Sequence, residues 1–339
     1  MTRRTLLTGA LSLGGALAQS PTLIKPKALR AGDTVGLITP STYISNPDSL
    51  QLLARTMAFF KLRYKFGQNV KKRNGYLGGS IEERVSDLHD MFRDPEVSAV
   101  FAIRGGYGAA QLLNHIDYDL IRRNPKIFLG YSDITALHLA FQRKAGLVTF
   151  HGPMGLARFT EYTQEHFRRA LFDSKPLGEL RNPPDSDPLR PEHTTRTVRP
   201  GVARGRLTGG NLTLMSTTLG TPYEIDTRGK ILFLEDIDEQ PYSIDRMLTH
   251  LRLAGKFDQA AGIIFGECTD CRPRDFKPSF ESNFSLGEIL DDILGKLSIP
   301  VLFGMTIGHT EDQLTLPLGV MATLDAGKGS LTLEESATV

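Results

Sequence analysis

The feature that most constrains the fold is a repeated alternation of short apolar runs with helical patterns in the first half of the chain. Apolar runs of this length, bounded by polar or glycine-rich residues, are typical of buried strands. Strands that alternate with helices indicate a parallel sheet covered by helices. We therefore predict an α/β domain over residues 25–172, with helices on both faces of a parallel sheet. The predicted strands are 35–39, 97–103 and 126–129, and the predicted helices are 50–60, 80–92 and 134–143.

The composition changes over residues 173–200, which are rich in Pro, Asp, Arg and Thr and have little apolar periodicity. Such a segment indicates a linker or a long surface excursion, and we place the domain boundary there. Beyond it, 230–234 is a predicted strand, and 314–333 alternates apolar with polar residues as antiparallel strands do. The second domain, 201–335, is therefore predicted to be α+β and richer in antiparallel strand.

Residues 1–18 have the pattern of a signal peptide. Arg3 and Arg4 precede an apolar run that ends in the small-x-small sequence Ala16-Leu17-Ala18. The paired arginines favour a twin-arginine signal, and an ordinary secretory signal is the alternative. We expect a periplasmic or otherwise exported protein. No later run approaches the roughly 20 apolar residues of a membrane span, so we expect no stable membrane anchor after signal removal.

Charge and cysteine content narrow the range of partners. Forty basic and 38 acidic residues give a net charge of +2, and the basic residues are scattered, so nucleic acid is not an expected partner. Cys268 and Cys271 form a lone CxxC pair with no neighbouring histidine, and two ligands do not complete a zinc site. We expect a structural pair, as thiols or as a disulfide, and no zinc site at these cysteines.

One serine, Ser132, lies at a position where a catalytic side chain is expected. Gly130-Tyr131-Ser132-Asp133 lies between an apolar strand and a helix, as in the sharp turn that exposes a nucleophile above a sheet. The helix start behind it would offer backbone donors to an oxyanion. The alternative is that Ser132 only caps the helix.

A glycine-rich loop, Arg104-Gly105-Gly106-Tyr107-Gly108, also follows a strand and precedes a helix. Loops at the carboxyl ends of parallel strands share one crevice, so this loop and Ser132 are expected to meet. A dinucleotide fingerprint would need glycine where Gln111 stands. The loop is therefore interpreted as a backbone amide donor, from Gly106, with Arg104 or Tyr107 available for a substrate carboxylate. The alternatives are that the glycines only form a tight turn and that Arg104 only forms an ion pair at the surface.

A serine nucleophile needs a base and an orienting carboxylate. Of eight histidines, His151 and His309 follow predicted strands or glycine turns and remain candidates. The carboxylate candidate is Glu235, in an acidic run at 235–239 that could also be a solvated loop or a weak divalent-ion site. The other six histidines are set aside. His138 points away from the serine, and His193 lies in the linker. The remaining four look solvent-facing: His89, His115, His166 and His250.

These motifs, in this order, resemble the LD-carboxypeptidase family of serine peptidases, which includes murein tetrapeptide and microcin-immunity peptidases. The resemblance runs over nearly all of the chain after the signal. It implies a Ser132, Glu235 and His309 triad, an oxyanion hole from the backbone amides of Gly106 and Asp133, and His151 at the rim of the site. The motifs are Gly32-Asp33-Thr34-Val35, Pro40-Ser41, the 104–108 loop, 130–133, His151-Gly152-Pro153, Gly209-Gly210-Asn211-Leu212, Leu234-Glu235-Asp236 and Gly308-His309.

The resemblance also implies a function. The expected reaction is acyl transfer without a metal or an organic cofactor, in which a murein tetrapeptide is cut at an L,D-peptide bond and terminal D-alanine is released. Hydrolysis of peptide or aminoacyl-nucleotide conjugates and non-catalytic binding of murein peptides are the alternatives. A homodimer with its site in a crevice between the domains is expected.

Overall fold

The computed structural model describes residues 22–184, 187, 189–274, 280 and 283–339. The predicted signal peptide at 1–18 lies outside these residues. The strands in chain order are β1 Thr34–Ile38, β2 Arg63–Phe66, β3 Val97–Ala102, β4 Ile127–Gly130, β5 Thr149–His151, β6 Gly178–Leu180, β7 Arg196–Arg199, β8 Val202–Asn211, β9 Ile231–Ile237, β10 Gly262–Thr269, β11 Val301–Met305, β12 Leu316–Leu318, β13 Met321–Asp325 and β14 Ser330–Leu333.

Two of the helices begin with a capping box, as the serine-x-x-glutamate spacing predicts. Ser80 and Ser285 each accept a backbone N–H from the glutamate three residues on, and that glutamate bonds back. The helices are α1 Asp48–Phe59, α2 Ile81–Arg93, α3 Tyr118–Arg123, α4 Thr135–Ala140, α5 Glu161–Phe172, α6 Leu212–Thr218, α7 Pro241–Leu253, α8 Lys256–Gln259 and α9 Leu286–Ile293.

The first sheet has the order β12-β5-β4-β3-β1-β2 and is parallel except for the antiparallel β12–β5 pair. One face packs with α1 and α5 and the other with α2 and α4, because side chains of each strand alternate between two buried clusters. The predicted α/β domain with helices on both faces is confirmed. Its β12 comes from residues beyond 314, which the sequence assigned wholly to the second domain.

The second sheet has eight strands in the order β6-β14-β13-β8-β9-β10-β11-β7. The four strands β8 to β11 at its centre run parallel, and the flanking pairs are antiparallel. The prediction of a domain richer in antiparallel strand is therefore confirmed for the flanks, around a parallel centre.

The segment 173–200 is not simply a linker. It supplies β6 and β7, the two edge strands of the second sheet. Cys268 and Cys271 are joined as a disulfide with their Cα atoms 5.4 Å apart, so the structural interpretation of this pair holds. Within the described part of the chain, no helix has the length and apolar character that a membrane crossing requires.

Candidate active site

Ser132 is separated from β4 by Tyr131 alone and is the first residue of a short helical turn that continues into α4. Its backbone has φ +63°, a left-handed conformation that is costly for a residue with a side chain. Strained serines of this kind occur at the strand-to-helix turn that presents a nucleophile. The structure therefore forms the turn that the sequence predicts.

The alternative that Ser132 only caps a helix does not hold. No side-chain hydrogen bond caps the turn that begins at Ser132, and none caps α4. By contrast, the hydroxyl of Ser80 accepts the Glu83 amide at 3.2 Å. The Ser132 hydroxyl is not used to start its helix.

The glycine-rich loop after β3 lies against Ser132. A β-carbon placed on Gly105 would be 3.1 Å from the Ser132 Cβ and 3.4 Å from the Asp133 backbone nitrogen, so only glycine leaves this space open. Gly106 has φ +110°, and a side chain there would collide with Thr42. The loop and the turn at Ser132 share one crevice, as their positions at neighbouring strand ends predict.

The side chain of Asp133 fixes the position of the glycine-rich loop relative to the turn at Ser132, a role that the sequence did not predict. The carboxylate is buried, accepts the Ser41 hydroxyl at 2.6 Å, and accepts the Ala109 backbone amide at 2.7 Å. The buried Arg84 donates to the carbonyls of Pro40 and Gly108 from the other side. The Pro40-Ser41 motif was the available sequence signal for this network.

His309 and Glu235 form a hydrogen-bonded pair. His309 Nδ1 lies 2.8 Å from Glu235 Oε2, the carboxylate is fully buried, and the imidazole is 15% exposed. Glu235 stands on β9 and His309 follows β11, two parallel strands on either side of β10, and the loop after β11 brings the two side chains together. The backbone of His309 is held because its carbonyl accepts the Thr269 hydroxyl at 2.6 Å.

Two features of the Glu235 surroundings explain the local sequence. Gly308 has φ +83°, and a β-carbon there would overlap the Glu235 carboxylate. Asp236 is 3% exposed and accepts the Asn211 amide at 3.0 Å and the Thr213 hydroxyl at 2.9 Å. The interpretation of 235–239 as a solvated loop is therefore wrong for its first two residues. Among the described residues, no group of three or more His, Cys, Asp and Glu side chains is arranged to hold a metal ion.

Ser132 and His309 face one cavity of about 400 Å³ at the carboxyl ends of the first sheet's strands. Tyr131 packs its ring against His309 with the centroids 4.9 Å apart. Burial, together with the charge of Glu235, raises the pKa of Tyr131 to about 12, so its hydroxyl stays protonated. The cavity is lined by Ile103, Arg104, Gly105, Gly106, Tyr131, Ser132, Met154, Leu156, Ala157 and His309.

The predicted substrate-binding residues lie at three different depths. Arg104 is partly buried and lines the cavity, and its guanidinium donates to the Tyr43 carbonyl at 3.4 Å. Tyr107 is 55% exposed and its ring meets that of Tyr76, outside the lining residues. His151 is fully buried, so the expectation that it lies at the rim is wrong. A three-residue strand carries too little pattern to show which of its faces is covered.

Two other histidine predictions need correction. His166 is 6% exposed and its Nδ1 lies 2.8 Å from the Tyr162 carbonyl, so it does not face solvent. His193, set aside as a linker residue, lies 2.8 Å from Glu267 and 3.3 Å from Asp312, and joins the 173–200 segment to the second sheet.

A larger cavity, of about 530 Å³, lies near the other ends of the central strands of the second sheet. It is bordered by Leu207 on β8 and by Lys230, which precedes β9, and none of the predicted site residues lines it. The smaller cavity is the candidate active site because the strained serine, the paired histidine and the glycine loop converge there.

A serine at the end of one sheet that faces the same cavity as a histidine held by a carboxylate of the other sheet is an arrangement typical of a hydrolase. Comparison with known families agrees. Residues 35–152 match the profile described as the LD-carboxypeptidase N-terminal domain, and 204–324 match the LD-carboxypeptidase C-terminal domain. The chain therefore belongs to the LD-carboxypeptidase family of serine peptidases.

Similar proteins include murein peptide carboxypeptidases and a microcin self-immunity protein. A Bacillus subtilis (strain 168) protein named "Probable murein peptide carboxypeptidase" is 42% identical over 91% of this chain and 94% of its own length. The murein tetrapeptide carboxypeptidase of Pseudomonas aeruginosa is 31% identical over 87% of this chain and 94% of its own. A solved structure of the microcin C7 self-immunity protein MccF, a protein of Escherichia coli, has a TM-score of 0.82 at 28% identity, covering 93% of this chain and 99% of that one.

Proposed function

We propose that the chain is a serine carboxypeptidase that cleaves an L,D-peptide bond and releases terminal D-alanine from a murein tetrapeptide. One observation carries the proposal. Ser132, on its left-handed turn, faces the same cavity as His309, whose Nδ1 is 2.8 Å from the buried Glu235. The relatives named as murein peptidases support the substrate class.

The proposed mechanism follows the Ser-His-carboxylate scheme. Because Nδ1 of His309 is held by Glu235, Nε2 is left to take the proton from the Ser132 hydroxyl as it attacks the scissile carbonyl. The backbone amides of Gly106 and Asp133 stabilise the oxyanion. His309 then protonates the leaving amine of D-alanine, and water releases the remaining peptide from the serine.

Arg104 is proposed to bind the terminal carboxylate of the substrate. It lines the cavity, and it forms no ion pair with a carboxylate in the part of the chain that the structure describes. A guanidinium in such a position can hold a carboxylate through two parallel hydrogen bonds. Tyr107 is proposed to contact the substrate further out, where its ring is exposed.

The test is mass spectrometry of a diaminopimelate tetrapeptide incubated with the native protein, with Ser132→Ala and with Ser80→Ala. We expect loss of one alanine with the native protein and Ser80→Ala. Ser132→Ala is expected to lower the rate by about 10⁴-fold or more while its melting temperature stays at or above the native value. An intact tetrapeptide after incubation with folded native protein would contradict the proposed substrate.

One alternative has structural support. A structure of MccF in complex with glutamyl sulfamoyl guanosine has a TM-score of 0.81 with this chain, which makes aminoacyl-nucleotide conjugates a second candidate substrate class. Incubating the protein with such a conjugate and, in parallel, with the tetrapeptide distinguishes the two substrate classes. Tight binding of the tetrapeptide without product would instead favour a murein-peptide binding protein.

We also propose that the protein is exported, acts in the periplasm, and is a homodimer. The arginine pair and apolar run at 1–18 support export, and the family resemblance supports the dimer. Fractionation of cells that express the full chain checks the location, and light scattering of the purified protein checks the dimer. A cytoplasmic or monomeric protein would contradict the respective proposal.

A further inference from the structure

The two carboxylate oxygens of Glu235 have different surroundings. Oε2 lies 2.8 Å from His309 Nδ1, whereas the buried Oε1 has no hydrogen-bond partner among the described residues. A buried carboxylate oxygen without a donor costs free energy, and native proteins rarely leave one unsatisfied. A donor for Oε1 is therefore expected close by.

His151 is placed to be that donor. Its Nε2 lies 3.9 Å from Glu235 Oε1, about 1 Å beyond an ordinary N–H···O bond. The side chain is fully buried on β5, and neither ring nitrogen has a partner in the described structure. Its ring packs against Phe233 of β9 with the centroids 5.1 Å apart, which holds it at the strand that carries Glu235.

His151 and Glu235 do not form an ion pair. Burial, together with the imidazoles of His138 and His309, holds the pKa of His151 well below its usual value. The ring of Tyr131 also faces it, with centroids 6.1 Å apart, and carries no charge. A neutral imidazole has one donor and one acceptor nitrogen, so it can give one hydrogen bond to Oε1.

We infer that His151 is a positioning residue that donates from Nε2 to Glu235 Oε1 and so holds Oε2 on His309. With a donor on each oxygen, the plane of the carboxylate is fixed, and with it the direction in which His309 presents its other nitrogen. His151 touches no substrate. The inference rests on the triad proposed above.

The kinetic test compares His151→Leu, which removes the donor, with His151→Gln, whose amide restores a donor near the Nε2 position. Leucine lowers kcat by roughly 10- to 100-fold, the range for one hydrogen bond to a buried charge, with KM unchanged. Glutamine recovers most of that loss. Thr149→Val is the matched control, since Thr149 is on the same strand and its buried hydroxyl also lacks a partner. It is expected to keep native kcat.

Equal kcat in native and leucine proteins overturns the inference, as does a glutamine variant as slow as the leucine variant. Because leucine could prevent folding, a second measurement uses the native protein. Two-bond ¹H–¹⁵N spectra of histidine-labelled protein give the tautomer of His151. A neutral ring protonated at Nε2 supports the inference, and a proton on Nδ1 or a doubly protonated ring overturns it. If the native protein is inactive on the tetrapeptide, only the proposed function is refuted. The tautomer of His151 is measured independently of activity and still decides its role.

Discussion

Ser80 and Ser132 each stand at the start of a helix, and the chain uses them in opposite ways. Ser80 has φ −67°, and its hydroxyl caps α2 within a capping box. Ser132 has φ +63°, and its side chain caps neither helical segment that follows. A serine hydroxyl that satisfies a backbone amide stabilises the fold, whereas one turned away from the helix is left for a ligand or a base. The difference is one of backbone conformation.

The largest effect that sharpens this comparison is expected when Ser132 is kept and the pair formed by Glu235 and His309 is changed. Glu235→Gln keeps the shape of the side chain but removes its charge, so His309 loses the carboxylate that orients it. We expect kcat to fall by about 10³- to 10⁴-fold with the fold intact. Glu267→Gln is the control, because His193 and Glu267 are also 2.8 Å apart. If both variants lost activity equally, the assignment of Glu235 would be wrong.

The turn at Ser132 is also expected to depend on pH. His138 Nε2 lies 2.9 Å from the carbonyl of Gly130, and burial lowers the pKa of His138 to about 4. The ordinary pKa of a histidine is 6.5, so below that pH His138 binds a proton in the unfolded chain but not in the folded chain. The free energy of unfolding therefore decreases as the pH falls from 6.5 toward 4. This residue alone is expected to account for about 3 kcal/mol of that loss.

Urea unfolding at several pH values measures this effect. His138→Gln keeps a donor for the Gly130 carbonyl but does not titrate, so its free energy of unfolding should fall less steeply below pH 6.5. Parallel curves for the native protein and the variant would show that His138 is protonated in the folded state.

The smallest expected changes in stability test the comparison most directly, because they come from substitutions of the two serines themselves. Ser80→Ala is expected to lower the free energy of unfolding by about 1 kcal/mol, the usual cost of a lost cap, with activity unchanged. Ser132→Gly is expected to raise it by about 0.5–1 kcal/mol, since glycine adopts positive φ without strain, and to abolish activity. Chemical denaturation measures both. Destabilisation by Ser132→Gly would mean that the turn is not strained.

Much of this site follows from the sequence, because its parts occupy the ends of strongly patterned elements. Ser132 follows the apolar strand β4, and Glu235 follows the apolar run at the start of β9. The helix boundaries at Ser80 and Ser285 carry capping signals. The pairing of Glu235 with His309 came from the family resemblance, and the 2.8 Å contact confirms that they meet. Their catalytic roles, and those of Gly106, Asp133, Arg104 and Tyr107, stay predictions.

The parts that sequence could not give depend on contacts between distant segments. β7 is the polar run Arg196–Arg199, with half-buried and exposed residues alternating, and only its pairing with β11 makes it a strand. His151 is buried by β9 and α4 rather than by its own neighbours in sequence. Propensity and periodicity are local, so neither edge strands nor buried polar clusters are well specified by them.

The strand β12 has a consequence for chimeric proteins. The chain leaves the second sheet at Met305, passes through His309, and at Leu316 pairs with His151 at the edge of the first sheet. Exchanging halves between relatives at the 173–200 segment would therefore pair β5 of one parent with β12 of the other. A poor match would leave β5 as an exposed sheet edge, which favours aggregation. A productive exchange would carry residues 306–320 with the N-terminal half, so that one seam between the two parents lies between the end of β11 at Met305 and the loop that bears His309.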